Sequence, residues 1–295
     1  MQALVDQFLD YLALERGLSE NTRLAYANDL AFLVGHLVRR RRRSLNAVTR
    51  SDILDFLTDT RESGRSVRTV ARRLVAARVF FRYLVREGLL AADPTEVMDA
   101  PRLWKELPGV LTPREVDRLL AQPDPSRRLG LRDRTILETL YATGLRVSEL
   151  TGLRIEDLRF EVSCLRCIGK GNKERMVPFG AAAREWLQRY LEEARPRLTR
   201  DPEAPRLFLS RSGRPLDRRD VWAMIRARAC AAGLGRAVSP HMLRHSFASH
   251  LLAHDAPLRV IQEMLGHADI ATTQIYTHVD GDRLRRVHAQ FHPRA

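Results

Sequence analysis

The sequence predicts a mainly α-helical protein of two domains, the second carrying one small β-hairpin. Three observations lead there. Apolar residues recur at helical three- and four-residue spacing through most of the chain. A stretch without periodicity, 92–112, holds Pro94, Pro101, Pro108 and Gly109 and reads as a linker, with the domain boundary near Leu107. Only 163–178 alternates with the period of a strand, around the turn Gly169-Lys170-Gly171-Asn172. At 295 residues, 44% of them hydrophobic, the chain has material for two cores, which excludes a disordered tail protein.

The first domain, 1–107, should hold four helices. Leu4, Val5, Phe8, Leu9, Tyr11 and Leu12 set the first, over Ala3 to Leu14, and Gly17 stops it. Ser19 suits the N-cap of a second that runs through Tyr26, Leu30, Leu33 and Leu37 into the arginine run Arg39 to Arg43, read as a solvated helix end. A third covers Ser51 to Glu62. The fourth is capped by Ser66 and closed by Gly88; it carries Val70, Leu74, Ala77, Phe81 and Leu84 on one stripe, bordered by Arg68, Arg72, Arg82 and Arg86. Beyond Leu107 the pattern is helical except for the hairpin. At the end of the chain Leu284, Val287 and Phe291 form an apolar stripe that needs a partner surface.

Fifty basic against thirty-six acidic residues give a net charge of +14, of which +4 lies up to Leu107 and +10 beyond it. Such an excess favours a polyanionic partner such as nucleic acid and lets both domains touch one ligand. Three cysteines, an odd number in a long chain, speak against a disulfide framework and point to the reducing cytoplasm. Asp6, Asp10, Glu15 and Arg16 break the first apolar pattern, so no signal peptide is expected, and no uncharged run reaches the roughly 18 residues of a membrane helix. A soluble, cytoplasmic protein without membrane insertion is the expectation.

Four segments of the second domain hold polar residues that a structural helix does not need. In Ala142-Thr143-Gly144-Leu145-Arg146-Val147-Ser148-Glu149, Gly144 interrupts the periodicity and aims Arg146, with Glu149 one turn on. In the hairpin, Lys170 stands between glycines at the tip, where it can approach a phosphate; it is one of only three lysines, with Lys105 and Lys173, against forty-seven arginines. No Walker loop accompanies it. Ser239 and Pro240 open a helix that sets His241 and Arg244 on one face beside free N–H groups. Finally, Gly266 ends an apolar helix, His267 sits at the break, and Tyr276 falls on the next helical segment.

Taken together, Arg146, Lys170, His241 with Arg244, His267 and Tyr276 match in order the pattern of the tyrosine site-specific recombinases, and the wording YATGLRVSEL, GKGNKER, SPHMLRHSFASHLL and LGHADIATTQIYTHV extends the resemblance over the whole chain. The resemblance implies a C-shaped DNA clamp: a helical, SAM-like core-binding domain over 1–107 and a mixed catalytic domain over 108–295. It implies that Tyr276 is the nucleophile and forms a 3′-phosphotyrosyl link, that Arg146 and Arg244 hold the non-bridging oxygens, that His241 accepts a proton near Tyr276 and Lys170 donates one to the departing oxygen, that His267 donates a hydrogen bond to a non-bridging oxygen, and that Glu149 orients Arg146. No cofactor and no metal are implied. The implied partners are a double-stranded recombination site, a sister recombinase of the XerC type in a heterotetramer, and an FtsK-type DNA translocase, in the service of chromosome dimer resolution. The terminal stripe is expected to dock on the neighbouring protomer.

Three other readings compete. A phage or mobile-element integrase would share the chemistry. A non-catalytic architectural DNA binder would explain charge and helices, but not a lysine hairpin, two histidines and a tyrosine. A zinc site is suggested by His241 and His245 at i and i+4; it lacks the intervening Glu, has Arg244 on the same helix, and finds Cys164 and Cys167 on opposite faces of a regular strand.

Overall fold

The computed structural model describes residues 1–16, 18, 20–98, 109–169, 173–201, 203–266 and 278–295. The chain divides into two compact units, Met1–Glu106 and Leu107–Ala295. Among the described residues no helix is long and apolar enough to cross a membrane.

The first unit is built from α1 (Gln2–Leu14), α2 (Glu20–Arg39), α3 (Arg50–Glu62) and α4 (Val67–Arg86). The expected cap Ser19 lies outside the described residues. Helix α3 starts one residue before the expected Ser51, because Thr49 and Asp52 form a reciprocal capping box: Asp52 N–H donates to Thr49 Oγ1, and Thr49 N–H donates to Asp52 Oδ2 at 2.8 Å. Ser66 caps α4 as expected, accepting from Thr69 N–H at 3.2 Å. The predicted stripe of α4 is buried with Phe8, Leu12, Leu30, Leu33 and Ile53. Phe8 packs its ring 5.3 Å from those of Phe80 and Tyr83. Three arginines depart from the pattern read in the sequence. Arg73 is buried in this core, donating to Thr60 Oγ1 at 2.8 Å with its guanidinium 4.0 Å over the Phe32 ring. In the basic run, Arg40 pairs with Asp55 at 2.9 Å and Arg42 with Asp52 at 3.1 Å, so the helix end is pinned to α3 rather than simply solvated.

The second unit orders α5 (Pro113–Leu120), α6 (Arg128–Thr143), α7 (Val147–Gly152), three strands β1 (Leu158–Arg159), β2 (Cys164–Ile168) and β3 (Glu174–Pro178), then α8 (Ala181–Arg189), α9 (Arg218–Ala231), α10 (Pro240–Ala253), α11 (Leu258–Leu265) and α12 (His278–Phe291). The antiparallel sheet has the order β1-β2-β3, with Leu165 opposite Val177 and Cys167 opposite Arg175. The hairpin is the one expected; β1, two residues long, is too short for alternation to reveal. Helix α6 is buried almost throughout and packs on α8 and α10. Its polar residues are compatible with that burial because Thr135 and Thr139 donate to the carbonyls of Leu131 and Thr135, one turn back.

The terminal stripe finds a surface within this chain: α12 lies on its own domain, with Leu284 buried and Val287 and Phe291 packed on the same core. The physical reason is the end of α6, whose last carbonyls have no partner within the helix. His288 Nε2–H donates to the Ala142 carbonyl at 2.8 Å and His292 Nε2–H to that of Tyr141 at 3.3 Å, with the two imidazoles stacked 4.6 Å apart. Arg294 then forks onto Glu138 at 3.0 and 2.8 Å.

Burial, with His288 alongside, depresses the His292 pKa to about 3. An unfolded imidazole titrates near 6.5, so below that pH the unfolded chain binds a proton that the folded one refuses, and stability falls as pH drops from about 6.5 toward 3. At pH 5 the loss from His292 alone is about 2 kcal/mol. Denaturant midpoints at pH 7.5 and 5.0 should show this fall, and His292→Gln, which keeps an N–H for Tyr141, should make it smaller by about that amount, the rest coming from the likewise depressed His288 and His250. Equal parental stability at both values would contradict a neutral, buried His292.

Candidate active site

The site grows from a helix that stops abruptly. Gly144 ends α6 with φ 59°, and a Cβ there would run into the Phe247 ring of α10. The chain therefore turns at once, and Arg146 stands immediately before α7 with extended backbone, φ −69° and ψ 149°. Glu149 reaches back to it, accepting from Arg146 N–H at 2.8 Å and from Nη1 at 2.9 Å. Arg244 comes from α10, whose start is fixed by Pro240 and by Ser239 Oγ, which accepts from Met242 N–H at 3.2 Å. Its Nη1 donates to the Gly144 carbonyl and its Nη2 to that of Leu265, both at 2.6 Å, and Nη1 is 3.9 Å from Glu149.

A third arginine completes the cluster. Arg175 of β3 forks onto both oxygens of Glu149 at 2.9 Å, and its Nε donates to the Met264 carbonyl at 2.9 Å. Gly266 caps α11 at φ 66°, and a Cβ there would lie 3.0 Å from Arg175 Nη1. Side-chain exposure is 3% for Glu149, 6% for Arg175, 11% for Arg244 and 34% for Arg146. Three guanidiniums thus share one buried carboxylate, and two positive charges are left over at a place where only Arg146 is substantially open. Burial pushes the Glu149 carboxyl up, but hydrogen bonding and charge from Arg175, then the Arg146 N–H and guanidinium, outweigh it and hold the pKa below the usual range. Burial, then the charge of Arg146, pulls Arg244 down to about 10, which leaves it cationic at neutral pH.

The expected residues are therefore brought together in part. Arg146, Arg244 and Glu149 form one cluster. His241 lies one turn before Arg244, exposed, its ring edge-on to Trp222 of α9 at 6.4 Å. Lys170, His267 and Tyr276 lie outside the described residues. Gly169, which precedes Lys170 in sequence, borders the cluster: its N–H donates to the Lys173 carbonyl at 2.8 Å, and a Cβ on it would lie 3.3 Å from Arg175 Nη1 and 3.6 Å from Glu149 Oε1. The Gly266 carbonyl, one residue before His267, is 3.5 Å from Arg146 Nη2. Arg175 was the residue sequence reasoning passed over, although a signal existed: it shares a strand face with the buried Val177, where a charge needs a partner.

The zinc reading gains nothing from the geometry. Among the described residues no three His, Cys, Asp or Glu side chains come together to hold an ion. Cys164 and Cys167 are both buried, and burial pushes the Cys167 thiol up to about 12.

Known proteins match this chain along its whole length. The chain belongs to the phage integrase family: the family's own pattern matches 109–283, and that of the phage integrase N-terminal SAM-like domain matches 5–88. It is a tyrosine recombinase, an enzyme that transfers DNA strands. Among its relatives, the tyrosine recombinase XerD of Listeria monocytogenes is 46% identical over 297 residues, the whole of both chains. That of Pseudomonas aeruginosa is 49% identical over 295 residues, 99% of this chain and 97% of the relative. Of the solved structures, XerA recombinase is 30% identical with a TM-score of 0.51, over 100% of this chain and 99% of the other. A lambda integrase dimer bound to a COC′ core site shares the fold at 18% identity, TM-score 0.73, over 95% and 99%.

Proposed function

We propose that this chain is a site-specific recombinase of chromosome dimers, working with a sister recombinase of the XerC type on a double-stranded site under an FtsK-type translocase, in the cytoplasm. The relatives named XerD support that assignment. The observation that carries the chemistry is the surplus of positive charge around Glu149. The helical first unit serves as the core-binding domain and the second as the catalytic domain, and the net charge of +14 serves their common hold on the duplex.

In the cleavage step Tyr276 Oη attacks the scissile phosphorus as its proton passes to His241. The bond from phosphorus to the 5′-oxygen breaks, and that oxygen takes a proton from Lys170 to leave as a hydroxyl. The phosphotyrosyl ester conserves the bond energy, so rejoining to a partner strand needs no nucleotide triphosphate. Arg146 and Arg244 hold the two non-bridging oxygens and stabilise the charge that grows on them in the transition state. His267 donates a hydrogen bond to one of those oxygens. Glu149 fixes the direction of Arg146 through its two contacts.

Because fixed guanidiniums are assigned to the phosphate, the experiment that tests this function is cleavage of a nicked suicide duplex in excess EDTA. Covalent adduct should form at the rate seen without chelator. An adduct lost in EDTA and restored by Mg²⁺ or Zn²⁺ would refute the mechanism.

A further inference from the structure

Glu149 poses an electrostatic question. A buried carboxylate between two phosphate-binding arginines is their natural competitor, since it offers each of them a permanent anion. Were both to close on it, neither would be left for DNA. The structure carries an arginine-to-carboxylate fork that answers this. Arg175 engages Oε1 and Oε2 together, while Arg146 meets the carboxylate with Nη1 alone and Arg244 stays 3.9 Å away, its two terminal nitrogens on the carbonyls of Gly144 and Leu265. The Arg175 guanidinium is also tied through Nε to the carbonyl of Met264, the penultimate residue of α11. The carbonyls of three successive residues, Met264, Leu265 and Gly266, thus face Arg175, Arg244 and Arg146 respectively.

From this arrangement we infer that Arg175 is a positioning residue for strand cleavage: it occupies Glu149 and fixes the end of α11, so that Arg146 and Arg244 stay oriented for the scissile phosphate. The inference rests on the proposed recombinase chemistry and adds to it a residue that acts through Glu149 and the end of α11. Charge and fork are separable contributions. Lysine at 175 keeps the net charge of the cluster but supplies one donor head in place of three fixed N–H directions; methionine removes both. Misplacing an otherwise intact phosphate clamp by a fraction of an ångström to 1 Å costs up to about 10²-fold in rate, whereas duplex affinity, spread over many contacts, hardly responds.

The test compares the parental chain with Arg175→Lys and Arg175→Met on two half-site duplexes. One carries the natural scissile phosphodiester; the other carries a methylphosphonate there, in which a methyl group replaces one non-bridging oxygen and the charge is gone. Single-turnover adduct formation should fall about 10-fold for lysine and about 100-fold for methionine on the phosphodiester, with half-site Kd within about 3-fold of parental. On the neutral methylphosphonate, which needs no oriented cation pair, the same variants should come within about 3-fold of the parental rate. A merely structural role would slow both substrates alike, and that result overturns the inference, as does an Arg175→Lys chain that cleaves the phosphodiester at the parental rate. Should either variant fold poorly, Glu149→Gln with Arg175→Met removes the unpaired buried charge; that pair must still cleave slowly, and parental cleavage by it overturns the inference. A parental adduct that survives Tyr276→Phe overturns the recombinase reading and this inference together, whereas a Tyr276-dependent adduct with unimpaired Arg175 variants overturns the inference alone.

Discussion

Replacing Arg244 by lysine should lower the rate of covalent adduct formation about a thousandfold, on the order of 4 kcal/mol, with half-site binding changed less than about tenfold. The size of the effect follows from what the side chain spans. Its two terminal nitrogens bridge the carbonyls of Gly144 and Leu265 at 2.6 Å, tying the turn before Arg146 to the end of α11. A lysine has one head, carries it on a flexible stem, and is more strongly hydrated, so it cannot bridge both carbonyls while remaining fixed for a phosphate. Burial that leaves an arginine protonated also shifts a lysine toward the neutral amine, removing the charge that the transition state needs. Affinity is insulated because the basic excess lies on both units of the chain, +4 and +10. Single-turnover cleavage and half-site titration separate the two quantities. Equal losses of binding and cleavage would make Arg244 a strut of the fold; undiminished cleavage would remove it from the chemistry.

The second large effect belongs to Lys170. The departing 5′-oxygen is too basic to leave readily without a proton, and the proposed donor is an ammonium, whose free pKa near 10.4 moves toward working pH in cationic surroundings. Guanidinium stays protonated above about pH 12 and cannot donate. Arginine stands at all but three of the fifty basic positions, so the lysine at 170 is an exception in composition. The preceding Gly169 borders the Arg175 and Glu149 cluster. Lys170→Arg should therefore bind DNA normally and cleave about 10²- to 10⁴-fold more slowly. A 5′-bridging phosphorothioate, whose thiolate leaves without a proton, should restore most of the lost rate. Parental cleavage by Lys170→Arg, or a defect undiminished on the sulfur substrate, would reduce Lys170 to a positioning contact.

Much of the fold was legible because local chemistry and tertiary packing agree. Ser66 and Ser239 cap the helices they were expected to cap, Gly144 and Gly266 end helices in left-handed conformation, and the stripe of α4 is its core face. Where the reading failed, the missing information was a distant partner. Arg73 looks like any surface arginine of α4 until Phe32 and Thr60, from other helices, enclose it. The two-residue β1 has no period to detect and exists only through β2. For the terminal stripe, spacing shows that Leu284, Val287 and Phe291 need a surface; that His288 and His292 find theirs on the open carbonyls of α6 is a matter of tertiary geometry. In the site, the motif residues Arg146, Glu149 and Arg244 were readable from spacing and resemblance. Arg175 was not singled out, because its importance lies in facing Glu149 across 26 positions of sequence.

The central claim is that Tyr276 itself becomes joined to DNA. The most direct measurement digests the adduct formed on a nicked half-site duplex and identifies, by mass spectrometry, the peptide that carries the nucleotide and the DNA end to which it is linked. The account predicts a single linkage, from Tyr276 to the 3′-phosphate, a free 5′-hydroxyl on the released strand, and no adduct from Tyr276→Phe at unchanged half-site occupancy. Attachment to another residue, linkage to a 5′-phosphate, or an adduct that persists in Tyr276→Phe would contradict it.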